Sequence, residues 1–322
     1  VLSAVFLNFY FMIYQKGLIP LTNYNFLLSG TIKWMLLFGL TSFASFIIFL
    51  EISTLKKIFN ITIIISIIEI FLSSLSMISR GMIFNASSLI YGLYKFSKKK
   101  GKILSLKKLI FYIFLVLTLF YISVVSVNHI RVNYFYAGKS ITEITKKNNI
   151  QEKFSPKELK RKFNIIDSTN ELFYLAINRW VGIDAILAVS QQKNMLNFNL
   201  VFEALNEKPI KDQPTFYEKT FELENFLTGD QYENVKGNTL TGIIAFLFYS
   251  GSFTFLFFGM LFLNFFATLL ELISFHISKY NLIFASIIGQ IIAFRFIHFG
   301  YLPKQSYLLF GSIVLTILFS AI

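Results

Sequence analysis

Two arginines stand in apolar surroundings and could do the same chemistry. Arg80 lies in MISRGMIFNASSLIYGLY, residues 77–94, where Glu69 is the only other charge between Lys57 and Lys95. Arg179 lies in STNELFYLAINRWVGIDAILAV, residues 168–189. Helical spacing puts it on one stripe with Leu172, Leu175, Ala176, Ile183 and Ile186, as that stripe's single charge. A planar guanidinium donates paired hydrogen bonds to phosphate or diphosphate. Two of them on one side of a membrane can clamp the diphosphate of a lipid-linked substrate. Each also has a plainer reading. Arg80 can anchor a helix turn against headgroups, and Arg179 can snorkel or pair with a carboxylate. An arginine inside the membrane is costly unless hydrated or paired, so an interfacial position eases the cost for Arg80.

The carboxylates offer weaker patterns. Asp184 lies about 140° round the helix from Arg179, beside Phe173, Ile177 and Trp180, and need not be its partner. Glu218, Glu222, Glu224, Asp230 and Glu233 alternate with Phe216, Tyr217, Phe221, Phe226 and Tyr232. Rings that stack on sugars beside carboxylates that accept from hydroxyls suit a saccharide; a solvated helix face has the same composition. Glu69 falls within an apolar run, where a carboxylate is a functional candidate by default or a protonated packing residue. His129, His276 and His298 are scattered without metal-ligand spacing, and there is no cysteine. No glycine-rich phosphate loop is present for nucleotide-driven chemistry.

The elements that must position these residues are apolar. Of 322 residues 55% are hydrophobic and 15% charged, against roughly a quarter charged in a soluble domain. Apolar windows run near 1–14, 33–50, 58–78, 81–94, 109–127, 240–275, 281–300 and 306–322, several of them long enough to cross a hydrocarbon core. The fold class expected is an all-α polytopic membrane protein. The net charge of +13 is uneven: residues 128–238 carry 15 Lys/Arg against 14 Asp/Glu, and the excess lies in short loops. KFSKKKGKILSLKK, residues 95–108, has seven lysines and no acid, which marks a cytoplasmic loop. Working back from it, span 81–94 descends, 58–78 rises from Lys56 and Lys57, and 33–50 descends. Arg80 then lies at the outer face. Span 281–300 rises from Lys279, and Arg295, His298 and Lys304 are expected in the last loop, on the outer side.

This divides the chain into an N-terminal bundle (1–127), a large outer segment (128–238) and a C-terminal bundle (239–322). A connection of that length is functional or a small domain. Ser155-Pro156 with Glu158, and Ser168 with Glu171, carry helix-start signatures. The run 240–275 is too long for one upright helix, and a half-helix followed by a full span from Gly251 and Ser252 suits it.

Three short segments in order resemble the O-antigen ligase/polymerase superfamily of integral-membrane glycosyltransferases. They are Ser79-Arg80-Gly81, NRWVGIDAIL (178–187) and GNTLTGIIAFLFYSGSFTFLFFGMLFL (237–263). Ligases of the family place a histidine where this chain has Gly237-Asn238, so the resemblance favours the polymerase branch. It implies a GT-C-like helical bundle in a bacterial inner membrane with one large periplasmic loop containing helices. The implied activity is metal-independent, inverting transfer without a cofactor. The substrate would be an undecaprenyl-diphosphate-linked oligosaccharide, with the lipid bilayer and a chain-length regulator as potential partners and no role for nucleic acid. In that scheme Arg80 and Arg179 hold the diphosphate and Asp184 or Glu224 serves the acceptor hydroxyl. Ser79, Trp180, Lys236 and Asn238 line the substrate. A ligase and a lipid-linked oligosaccharide flippase are the alternatives.

Overall fold

Asn60–Ser76 and Met82–Lys99 each run as a single helix, with the Arg80 turn between them. The computed structural model describes residues 2–15, 26–55, 60–101, 104–137, 183–207, 216–221, 242–298 and 303–321. Every regular element among the described residues is helical. Lipid imposes this, because a segment in hydrocarbon must satisfy its own backbone N–H and C=O groups. Among the described residues three helices are long and apolar enough to cross a membrane: Leu27–Thr54, Leu106–Ile130 and Phe253–Ile277.

The N-terminal elements are α1 (Leu2–Phe11), α2 (Phe26–Trp34), a π turn (Met35–Gly39) and α3 (Leu40–Thr54). They continue through α4 (Asn60–Ser76), α5 (Met82–Lys99) and α6 (Leu106–Ala137). The span expected at 33–50 thus begins earlier, and Lys33 lies inside the helix rather than at its edge. The π turn lets the Trp34 ring lie over Gly39, where an added Cβ would come within 3.1 Å of it. Asn85 Nδ2 of α5 donates to the Leu37 carbonyl in the widened turn at 2.8 Å.

The helices of the large segment that are described are α7 (Ile183–Gln191), α8 (Phe198–Asn206) and α9 (Phe216–Phe221). A short helix α10 (Ile243–Leu247) and a 3₁₀ turn (Phe248–Ser250) follow. The chain then breaks at Gly251, which takes φ +71°, and Ser252 caps α11 (Phe253–Ile277) by accepting from the Phe255 N–H at 3.2 Å. The break falls where the small polar pair predicts it. α10 folds back along α11, so that a Cβ at Gly259 would meet Leu247 at 3.0 Å. α12 (Leu282–His298) and α13 (Pro303–Phe319) complete the chain.

α5 and α12 run antiparallel in close contact. A Cβ at Gly92 would lie 2.7 Å from Ile283 Cα, Ser286 Oγ donates to the Ser88 carbonyl at 2.9 Å, and the Phe84 and Phe294 rings sit 5.7 Å apart. Around this pair Ile48, Ile63, Ile67, Leu89, Leu93 and Ile287 form the main buried core. Lys99 Nζ lies 5.2 Å from the Phe275 ring and 5.9 Å from that of Tyr280, so the α11–α12 turn sits beside the lysine-rich end of α5. The opposite end carries Arg80, the start of α11 and the helices resting on it.

Two expectations need correction. Arg295 and His298 lie within α12, and Lys304 within the first turn of α13, rather than in a loop. Phe296 and Ile297 prolong the apolar helix past the charge, and arginine is itself a good helix former. Tyr217 and Phe221 do not form a sugar-stacking face. Both are buried in a second core, with Phe221 4.8 Å and Phe216 6.2 Å from the Tyr249 ring. That aromatic cluster seats α9 on the segment between α10 and α11. Phe226 and Tyr232 lie outside the described residues.

Candidate functional site

The Arg80 turn is built by the end of α4. Ser79 N–H donates to the Ser74 carbonyl and Ile78 N–H to the Leu75 carbonyl, both at 2.9 Å, while Ile78 takes φ +51°. This is a Schellman ending with its left-handed residue at the position where glycine is usual. Ser74 Oγ donates to the Ser79 carbonyl at 2.6 Å, and Ser79 Oγ accepts from the Gly81 N–H at 3.2 Å. Ser79 is buried, and its hydroxyl shapes the turn. Arg80 is half-buried with its Nε inside. α5 starts directly after it from Gly81, without a side-chain cap. The positive end of an 18-residue helix therefore lies beside the guanidinium.

A second polar knot fixes what surrounds this turn. Asn8 Nδ2 donates to the Ser76 carbonyl at 2.9 Å, to Ser76 Oγ at 2.7 Å and to the Tyr14 carbonyl at 3.1 Å. Asn8 Oδ1 accepts from the Tyr14 N–H at 2.8 Å. Tyr14 is thus tied to the last residue of α4, and it packs against the small core of Ile13, Ile32, Leu36 and Met77. Lys33 Nζ lies 4.9 Å from the centre of the Tyr14 ring. Arg295 of α12 is within electrostatic reach of the Tyr14 hydroxyl. Its neighbour Phe294 would be 3.7 Å from a Cβ at Gly81. Lys33, Arg80 and Arg295 therefore come from three elements to one end of the bundle.

Four of the described carboxylates have environments of their own. Glu69 is buried on α4, where Ser73 Oγ donates to it at 2.7 Å and Thr41 Oγ1 of α3 at 3.4 Å. The Thr41 bond ties α3 to α4, and the pair of bonds supports a packing role. Glu51 accepts from Thr62 at 2.6 Å, and Glu207 accepts from the Phe216 N–H at 2.6 Å. The Glu271 carboxyl lies over Gly289, 3.1 Å from where a Cβ would be. No group of three His, Asp or Glu side chains among the described residues is arranged to hold a metal ion.

Of the residues singled out from the sequence, Ser79 and Arg80 share one turn. Asp184 is the second residue of α7. Arg179, Trp180, Glu224, Lys236 and Asn238 lie outside the described residues. α7 and α8 stand at the Arg80 end: Leu196, between them, would be 3.2 Å from a Cβ at Gly251, and Phe198 packs 5.3 Å from Phe255 at the start of α11. Sequence reasoning missed Lys33, Tyr14 and Arg295 as members of this region. The rule that singled out Glu69, an ionisable group within an apolar run, applies equally to Arg295. Comparison with known proteins returned no match to a family model, to a curated protein or to a solved structure.

Proposed function

We infer that this protein is a membrane glycosyltransferase of the O-antigen polymerase type, with a GT-C-like bundle and its large segment on the periplasmic side of a bacterial inner membrane. The observation that carries the reading is the Arg80 turn: a guanidinium at the start of α5, on the end of the bundle that also bears the helices of the large segment. In this scheme an acceptor hydroxyl on one lipid-linked unit attacks the anomeric carbon of another. The bond from that carbon to the diphosphate oxygen breaks with inversion, and undecaprenyl diphosphate departs. Negative charge grows on the leaving oxygen, and fixed guanidinium donors stabilise it. Arg80 is one such donor, and Arg179 is assigned the second. The hydroxyl proton passes to a carboxylate, for which Asp184 and Glu224 are the candidates.

The test is elongation of lipid-linked repeat units by the purified protein, without nucleotide. Removing one charge-stabilising donor lowers such rates about 100- to 1,000-fold, and that is the loss expected for Arg80→Ala and for Arg179→Ala. Full elongation by both folded variants refutes the mechanism. Transfer of the glycan to a lipid A core instead identifies a ligase, and movement of substrate across the bilayer without new glycosidic bonds identifies a flippase.

A further inference from the structure

The hairpin of α7 and α8 is fastened to α11 at its helix break. Leu196, in the turn between the two helices, would be 3.2 Å from a Cβ at Gly251, and the Phe198 ring lies 5.3 Å from that of Phe255. The break is far along the chain from any charge, since residues 237–270 hold no Lys, Arg, Asp or Glu. The hairpin therefore leans on a stretch that a bilayer would keep at the level of its hydrocarbon.

α8 presents three faces. Val201 and Ala204 are buried in the second core, with Leu200 and Leu205 packed beside them. Asn197 caps the helix by accepting from the Leu200 N–H at 3.1 Å. Phe198 and Phe202 share the second face at helical spacing, and Asn199, Glu203 and Asn206 lie on the third. Phe202 is 61% exposed, and Phe198 remains 50% exposed even where it packs on Phe255. Met195 before α8 and Leu187 on α7 are exposed as well. Single apolar side chains on a surface are ordinary. These are different, because the Phe198–Phe255 contact brings them onto α11, a helix long and apolar enough to cross a membrane. Its own exposed residues there are Phe253, Phe257 and Leu261, the kind of surface a span shows to lipid.

We propose that the α7–α8 hairpin is a membrane-inserted element. Met195, Phe198 and Phe202 are sunk among the acyl chains of the leaflet on the side of the large segment, and Asn199 and Glu203 stay at its headgroups. An interfacial helix sorts its residues in this way and lies about 5–10 Å into the boundary between headgroups and chains. The occupant is lipid because the apolar flank adjoins the exposed face of a span and is bordered on its own helix by a polar flank. Inserted so, the hairpin holds the second core at the edge of the bilayer. The inference needs α11 to cross the membrane and is independent of the glycosyltransferase reading.

The chain has no cysteine, so a single cysteine placed in the full protein carries a nitroxide label at one known position. In phosphatidylcholine vesicles, two collision rates are read by electron paramagnetic resonance. One is with oxygen, which gathers in hydrocarbon, and the other with a water-soluble nickel chelate. The variants are Met195→Cys, Phe202→Cys, Asn199→Cys and Glu203→Cys, with Leu261→Cys as the reference on the span. Labels at 195 and 202 should be rich in oxygen collisions and poor in nickel collisions, as at 261, at a depth of about 5–10 Å. Labels at 199 and 203 should show the reverse. Nickel-dominated collisions at 202 overturn the proposal and place the hairpin in water. Protection of 202 from both reagents overturns it too, since protein rather than lipid then covers the face. A label at 203 that matches the one at 261 refutes the division of faces, and nickel-dominated collisions at 261 remove the span the inference needs. If Phe202→Cys does not fold, Met195→Cys and Leu187→Cys carry the same comparison.

Discussion

Replacing Gly92 by alanine tests the central helix contact of the bundle. The new Cβ would lie 2.7 Å from Ile283 Cα, 3.0 Å from the Leu282 carbonyl oxygen and 3.1 Å from Ser286 Cβ. The two nearest atoms are backbone, so no side chain can rotate away. Restoring ordinary contact requires α5 and α12 to part by about 0.7 Å, and a gap of that size forfeits a quarter to a half of each dispersion contact across it. Overpacking of this kind costs about 1–3 kcal/mol, and the backbone obstruction puts it near the upper value. Alanine returns up to about 1 kcal/mol of helix propensity. The net loss is about 2 kcal/mol, or close to 30-fold in the folded-to-unfolded ratio. The control is Gly311→Ala in α13, where an added Cβ meets nothing within 4 Å and propensity alone should act. Thermal unfolding of both variants in one detergent reads the difference. A Gly92→Ala protein that melts at or above Gly311→Ala refutes the antiparallel packing of α5 on α12. The Ser286–Ser88 bond should fail with it.

Three further substitutions probe local geometry by the same unfolding measurement. Gly251→Ala forces a side chain into the left-handed region at a cost of about 1–2 kcal/mol, with its Cβ 3.2 Å from Leu196. A variant as stable as wild type would show that the helix break at Gly251 is not held in this conformation. Asn8→Ala removes the two N–H donors and the Oδ1 acceptor that serve Tyr14 and Ser76 and should lose about 3 kcal/mol at roughly 1 kcal/mol for each of these three. Limited proteolysis should then cut first after residue 11, and protection there equal to wild type would contradict the tie. Trp34→Phe keeps a ring over Gly39 but deletes the 2.8 Å bond to Thr316 Oγ1, for a loss of about 1 kcal/mol. An unchanged melting midpoint would mean that α13 is not docked through that bond.

What could be read from the residues alone divides along physical lines. The apolar runs and their order were legible because lipid admits helices and little else. The break at Gly251 and Ser252 was legible because a glycine and a capping serine are local signals. The position of Arg80 in a turn between two helices was legible for the same reason, from Ser79 and Gly81. The contact of Gly92 with Ile283 joins residues nearly two hundred positions apart, and no local pattern encodes it. The tie from Asn8 to Ser76 spans 68 positions and depends on one buried amide. A charge such as Arg295 reads locally as a helix end, whereas the aromatic residues on either side carry the helix onward. The aromatics at 216–221 stand among acids as a sugar-binding or a solvated face would, but their ring packing against Tyr249 needs the half-helix that precedes α11.

Strain at the Arg80 turn invites a functional reading that its energetics do not require. Ile78 adopts φ +51°, a conformation that costs a branched side chain about 1–2 kcal/mol. Yet Ile78 is buried at 3% exposure, and burying such a side chain contributes about 1.5–3 kcal/mol. Burial is therefore enough to hold the strained residue in place. Lys279 shows the same Schellman geometry at the other end of the bundle, with φ +57° and Tyr280 N–H bonded to the Phe275 carbonyl at 2.8 Å. A motif used twice, once beside arginine and once beside lysine, is a way of ending a helix at a membrane face. The feature that distinguishes the Arg80 end is its charge. Arg80 stands there half-buried, on a turn that the ends of α4 and α5 fix. That guanidinium, and not the strained backbone beneath it, is what the assignment of Arg80 to a diphosphate rests on.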